Sequence, residues 1–265
     1  MSDRLHAMIA DACFGLDAKF DGDRLRAFLE AHDLDAEDVD ALLAGPRRLG
    51  IYRRLLRNNV LNVVSAMLER TQARIDAIVA GAFERTIDEW LAAVGPRTSH
   101  FRDVPGELLA WAAPRWAADA RLPAWIVDYA ELELADFTIG VAPRPAPPPP
   151  LDEVAADRPL VFADPHRLVR LGWAVHELPG GDVRAAPAKR DVTLLVYRDA
   201  EHRTRYLELT PLAAAILDEL FRGRPLAQAM VEACGAALDQ TVLEGAAKLL
   251  ADLGERGVLL GARGG

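Results

Sequence analysis

Between Pro143 and Pro150 the chain reads PRPAPPPP, six prolines in eight residues, and neither an α-helix nor a central β-strand crosses such a run. Proline offers no main-chain donor and fixes φ, so the segment favours an extended polyproline II rod of about 3.1 Å per residue, roughly 25 Å in all. The chain is therefore expected to fold in two parts: a domain over residues 1–142, a linker over 143–159 and a second domain over 160–265. A rod of this kind serves as a spacer or as a ligand for SH3-like or WW-like domains.

Each part is long enough to bury its own core. At 51% hydrophobic and 27% charged the composition is that of an ordinary globular protein, with no run near the roughly 18 apolar residues that cross a bilayer. Asp3 and Asp11 stand where a signal peptide needs a basic start and an apolar core, so a cytoplasmic location is expected. Cys13 and Cys234, one in each part and both in apolar helical patterns, read as buried thiols rather than a disulfide. A formal net charge of −9 argues against general affinity for nucleic acid.

Up to Gly140 the pattern is helical. Asp35 to Leu43 reads as a short helix; its acids do not make an EF-hand, because Asp38 stands where that loop needs glycine. From about Arg48 to Arg70, Leu49, Tyr52, Leu56, Val60, Val63 and Met67 recur at steps of three and four and predict one buried helical stripe. Arg53 and Arg57 fall together on a shoulder of that stripe. With Arg47, Arg48 and Arg54 they form either a solvated face tied to acidic neighbouring helices or a docking surface. The next helix is expected from a Thr71 cap to Ala93, then a short one bent or ended near Pro114, then a last one from about Pro123.

Beyond the linker the period changes from 3.6 to 2. Val169, Leu171, Trp173 and Val175 alternate with polar or small residues as in a half-buried strand. Val192 to Arg198 and Arg203 to Leu209 predict two more, joined by a turn at Asp199 to His202. Thr210 and Pro211 open a helix; others follow over Pro225 to Ala233 and about Asp239 to Leu253, before a closing apolar segment, Val258 to Leu260. The expected fold class is α+β: an all-helical N-terminal domain and a winged-helix-like C-terminal domain with a small antiparallel sheet and three helices. Winged helices serve DNA and peptides alike. The third helix holds Asp239, Glu244, Asp252 and Glu255 against Lys248 alone, and that charge disfavours a major groove.

Catalytic signatures are missing. No two histidines stand at helical ligand spacing, no serine lies in a G-x-S-x-G elbow, and there is no phosphate-binding glycine loop. A binding or accessory role is favoured over an enzyme, with no metal and no cofactor in this chain.

Four segments, GIYRRLLRNNV (Gly50 to Val60), SHFRDVPGELLAW (Ser99 to Trp111), LPAWIVDYAELELA (Leu122 to Ala135) and VYRDAEHRTRYLELTPLAAAILDEL (Val196 to Leu220), resemble the HvfC/BufC-type peptide-modification chaperones, formerly labelled a DNA-binding domain family. The resemblance spans nearly the whole chain, in order. One departure is SAMLERTQARID after the arginine helix, where the family has an aromatic-Pro-Val segment and a Leu-Gly pair. The resemblance implies a noncatalytic subunit of a multinuclear non-haem iron enzyme with a TIM-barrel fold. That partner would hold the iron and modify a ribosomal precursor peptide, while this chain captures the leader and presents the core. Strand addition to an exposed sheet edge is the physical route to capture, with Val192, Leu194 and Val196 as the candidate edge and Arg53 and Arg57 as the candidate enzyme interface. The rival reading is a DNA-binding regulator of winged-helix type.

Overall fold

The computed structural model describes residues 22–98, 100–143 and 151–264, with the backbone alone at 22–25, 46–49, 52 and 53. Cys13, with the apolar helical pattern around it, and all but Pro143 of the proline run lie outside the described residues. The chain divides into two compact units, Met1–Ala130 with Gly180–Arg184, and Glu131–Pro179 with Ala185–Gly265. The division therefore falls inside a helix rather than at the prolines, and a short later segment belongs with the first unit.

The first unit is helical: α1 (Gly22–Glu30), α2 (Ala36–Ala44), α3 (Pro46–Met67), α4 (Glu69–Ile78), α5 (Ala82–Ala93), α6 (Val104–Ala118) and the start of α7 (Ile126–Val141). Val60, Val64 and Met67 on α3 meet a core that includes Ile75, Phe83, Ile87, Trp90, Leu108 and Ile126. Two sequence expectations change here. The chain breaks at Leu68, and Thr71 is wholly buried inside α4 instead of capping it. A second break follows because Gly81, at φ +67, turns the chain in a conformation that favours glycine, and Asp76 Oδ1 accepts from the Phe83 amide across the turn at 3.1 Å. Ile78, at the end of α4 before this break, is 44% exposed. Pro114 does not end α6, which runs four residues further to Ala118. The buried Arg74 guanidinium lies over the Tyr129 ring at 4.5 Å and donates to the Asp182 carbonyl at 2.9 Å, which holds segment 180–184 in this unit.

The second unit carries two three-stranded antiparallel sheets. In one, β4 (Val192–Arg198) lies between β3 (His166–Leu171) and β5 (Thr204–Leu209); in the other, β6 (Leu259–Arg263) lies between β1 (Leu151–Asp152) and β2 (Leu160–Phe162). Between β5 and β6 come α8 (Pro211–Phe221), α9 (Leu226–Cys234) and α10 (Gln240–Glu255). The α+β class and the order of three strands then three helices are as expected. The second sheet was not foreseen, because two of its strands are only two and three residues long and carry no readable period. β1 falls within the expected linker interval, and Ala156 in the same interval accepts a hydrogen bond from the Ala227 amide at 2.8 Å. The expected strand over Val169 to His176 is displaced: β3 ends at Leu171, and Val175–Glu177 forms a 3₁₀ turn.

Capping follows the sequence. Thr210 accepts from the Ala213 amide at 3.2 Å with Pro211 in the first turn of α8, and Asp239 accepts from Val242 at 2.9 Å to start α10. Leu195 and Tyr197 of β4, Leu209 of β5, Leu217 and Leu220 of α8, Met230 of α9 and Leu250 and Leu253 of α10 form one core with Val258 and Leu259. Cys234 is buried against it as a free thiol, and burial pushes its pKa up.

Candidate functional site

Helix α10 is the element around which the second unit's two grooves form. At 100° per residue, Thr241, Val242, Gly245, Leu249 and Asp252 share one face, and Leu243, Ala247, Leu250, Ala251 and Gly254 another about 175° away. Each face lines a separate groove.

The smaller groove, about 400 Å³, runs between α10 and the β5 edge, with Leu207, Leu209, Leu212, Ala213 and Ile216 completing its wall. β5 has β4 on one side and no strand on the other among the described residues. The Asp199 amide donates to the Arg203 carbonyl at 2.9 Å, which fixes the phase of the β4–β5 ladder. Antiparallel alternation then turns the main-chain groups of Thr204, Tyr206 and Glu208 away from β4, toward the outer edge. A Cβ added at Gly245 on the facing helix meets nothing within 4 Å, so the groove is open there.

A charged cluster borders this groove. Arg190 donates to Glu208 Oε1 at 2.5 Å and to Glu177 Oε1 at 2.6 Å, and His176 Nε2 lies 3.1 Å from Glu208 Oε2. Arg190, then His176, hold the Glu208 carboxyl below its ordinary pKa. The ligand atoms of His176, Glu177 and Glu208 lie within 4.8 Å of one another, close enough to share a divalent cation. The guanidinium already bridges both carboxylates, however, so the set as built is an ion-pair network. Sequence spacing could not show it, since His176 and Glu208 stand 32 residues apart and meet only through folding.

The sequence-derived candidates fall elsewhere. Val192, Leu194 and Val196 are on β4, the central strand, bonded on both sides and 3%, 0% and 0% exposed. Their assignment to an edge is corrected: a strand apolar on both faces belongs in the middle, and its donors and acceptors are spent on β3 and β5. Arg57 lies on α3, bound to Asp88 at 2.5 Å and to Glu84 at 2.6 Å on α5. Those acids raise its pKa, Asp88 more than Glu84. This is the tie to acidic neighbouring helices that the sequence offered as one of its two readings. The Arg53 side chain lies outside the described residues.

The larger groove, about 980 Å³, lies on the other face of α10, against α9, β1, β6 and residues 153–156. Met230, Ala246, Leu250 and Leu259 form its buried floor.

The second unit thus sets three helices after the β3–β4–β5 sheet, with a groove between the β5 edge and α10, the third of those helices. Residues 165–254 match the family model described as the HvfC C-terminal domain, so the second unit carries a region similar to that domain. The match covers β3 through most of α10 and supports an accessory, partner-binding role. No curated protein matches the chain. Among the described residues no helix is long and apolar enough to cross a membrane.

Proposed function

We propose that this chain is a noncatalytic accessory subunit that captures the leader of a ribosomal precursor peptide and presents the peptide to a multinuclear non-haem iron oxidative enzyme. The observation that carries the reading is the β5 edge opening onto the α10 groove within a region similar to the HvfC C-terminal domain. An extended leader adds as a fourth strand beside β5, hydrogen-bonding to outward groups such as those of Glu208, while alternate side chains enter the groove near Leu207, Val242 and Leu249. The other edge, β3, lines neither groove. Iron and oxidative chemistry reside in the partner, and Arg53 and Arg57 on α3 are the proposed enzyme-facing residues. Arg57 would act there by fixing α3 against α5.

The DNA-binding alternative is opposed by α10 itself. Glu244, Asp252 and Glu255 outweigh Lys248 on the helix that would have to enter a major groove.

The test is affinity purification of the tagged full chain from its native cells, with mass spectrometry of proteins and peptides and iron analysis of the eluate. The expected eluate holds an iron enzyme in about equal amount together with a short peptide. Gly245→Phe is expected to lose the peptide and retain the enzyme, and Arg53→Glu with Arg57→Glu to lose the enzyme. Recovery of nucleic acid, or of the protein alone, would contradict the reading.

A further inference from the structure

Exposed apolar side chains on a soluble surface matter when they gather around a hollow. Val154, Val231, Leu243 and Leu260 are 46%, 57%, 46% and 39% exposed, and all four line the larger groove, on the face of α10 turned away from β5. Along α10 the bed of this groove sets the small residues Ala247, Ala251 and Gly254 beside Leu243, Ala246 and Leu250, and the small ones let another backbone approach closely. From Leu243 to Gly254 the bed runs about 16 Å, three turns of helix. A Cβ at Gly254 meets nothing within 4 Å, so this end is open.

Charge narrows the occupant. Among the described residues, the only charged ones lining the groove are Asp152 and Glu153. Asp152 shares its charge with Arg158, whereas Glu153 makes no ion pair among the described residues. Lys248, the single lysine or arginine within α10, falls outside both groove faces.

We infer that the larger groove is a second docking site, for a three-turn amphipathic helix of a protein partner that places leucine-like side chains between Val231 and Leu243 and lysine or arginine beside Glu153. Apolar burial supplies the affinity, and the acidic rim supplies orientation and excludes acidic helices. This goes beyond strand addition at β5, and the two can fail separately, since Ala246 alone lines both grooves.

The probes are two fluorescent 14-residue amphipathic helices of the same heptad pattern, one of leucine and lysine, the other of leucine and glutamate, titrated with the full chain at physiological salt. The lysine helix is expected to bind at least tenfold more tightly than the glutamate helix. Gly254→Phe, which fills the open end, is expected to weaken it at least tenfold, and so is Val231→Asp, despite adding a negative charge. Glu244→Gln, on the solvent face of α10, is expected to stay within twofold. Circular dichroism melts establish that each variant is folded; because Val231 is more than half exposed, its variant keeps the test decisive if Gly254→Phe misfolds. Unchanged binding in both groove variants would mean that overall negative charge alone attracts the probe, and would overturn the proposal. So would equal affinity for the two helices, or a concentration-dependent dimer that Gly254→Phe abolishes.

Discussion

Two residues carry more of the second unit than their size suggests. Gly261 sits in β6 at φ +147, and a Cβ there would come within 2.8 Å of the Asp152 carbonyl and 3.2 Å of the Leu151 Cβ on β1. Gly261→Ala is therefore expected to pry β1 from β6 and cost about 1–3 kcal/mol, read as a lower midpoint in chemical denaturation. Asp199 organises the β4–β5 turn: Oδ1 accepts from the Arg203 amide at 2.8 Å and Oδ2 from Arg205 Nε at 2.8 Å. These bonds, the backbone one first, lower its pKa to about 2. A carboxyl depressed below its unfolded value of about 3.9 contributes its full stability above that pH and loses it as the pH falls toward 2. Wild type is thus expected to lose melting temperature over that window, whereas Asp199→Asn starts lower and shows less of the fall.

At the scale of elements, the strongly periodic stretches were legible and the breaks were not. β4 was placed to the residue at both ends, because seven consecutive β-compatible residues are bounded by polar turns. Its neighbours were harder: an alternating pattern gives the faces of a strand but not its position in the sheet, so Leu194 read as an edge residue when it is central. Leu194→Asp consequently tests folding rather than peptide capture. A carboxylate placed where nothing is exposed to water is expected to prevent stable folding, with loss of the cooperative melt, and Leu194→Ala to cost about 2–5 kcal/mol. A variant with Asp at 194 that melts like wild type would contradict the central position. The helical unit failed in the opposite way. Its apolar stripe ran unbroken across Ala80-Gly81-Ala82, and one glycine with positive φ split what the period joined. Both grooves were beyond the sequence, because each brings together faces of α10 with strands or loops far along the chain. What the sequence did contain was the pair of helical glycines, Gly245 and Gly254, that leave those grooves open.

For the whole molecule, the proline run marked a real change in character, helical before it and mixed after it. Compactness is divided differently: residues 131–143 belong with the sheets and residues 180–184 with the helices. Local composition reports where a chain cannot form regular structure, while unit membership depends on long-range bonds such as Thr204 Oγ1 to the Asp136 carbonyl at 3.2 Å and Arg198 to the Ala142 carbonyl at 2.7 Å. The proposed function rests on peptide being held along β5. The most direct measurement is amide hydrogen exchange of the full chain, with and without the peptide that co-purifies with it. Slowed exchange is expected at the Glu208 amide and in α10 around Gly245, with no change in β3 and loss of the effect in Gly245→Phe. Protection confined to β3 or to the helical unit, or protection that survives Gly245→Phe unchanged, would contradict it.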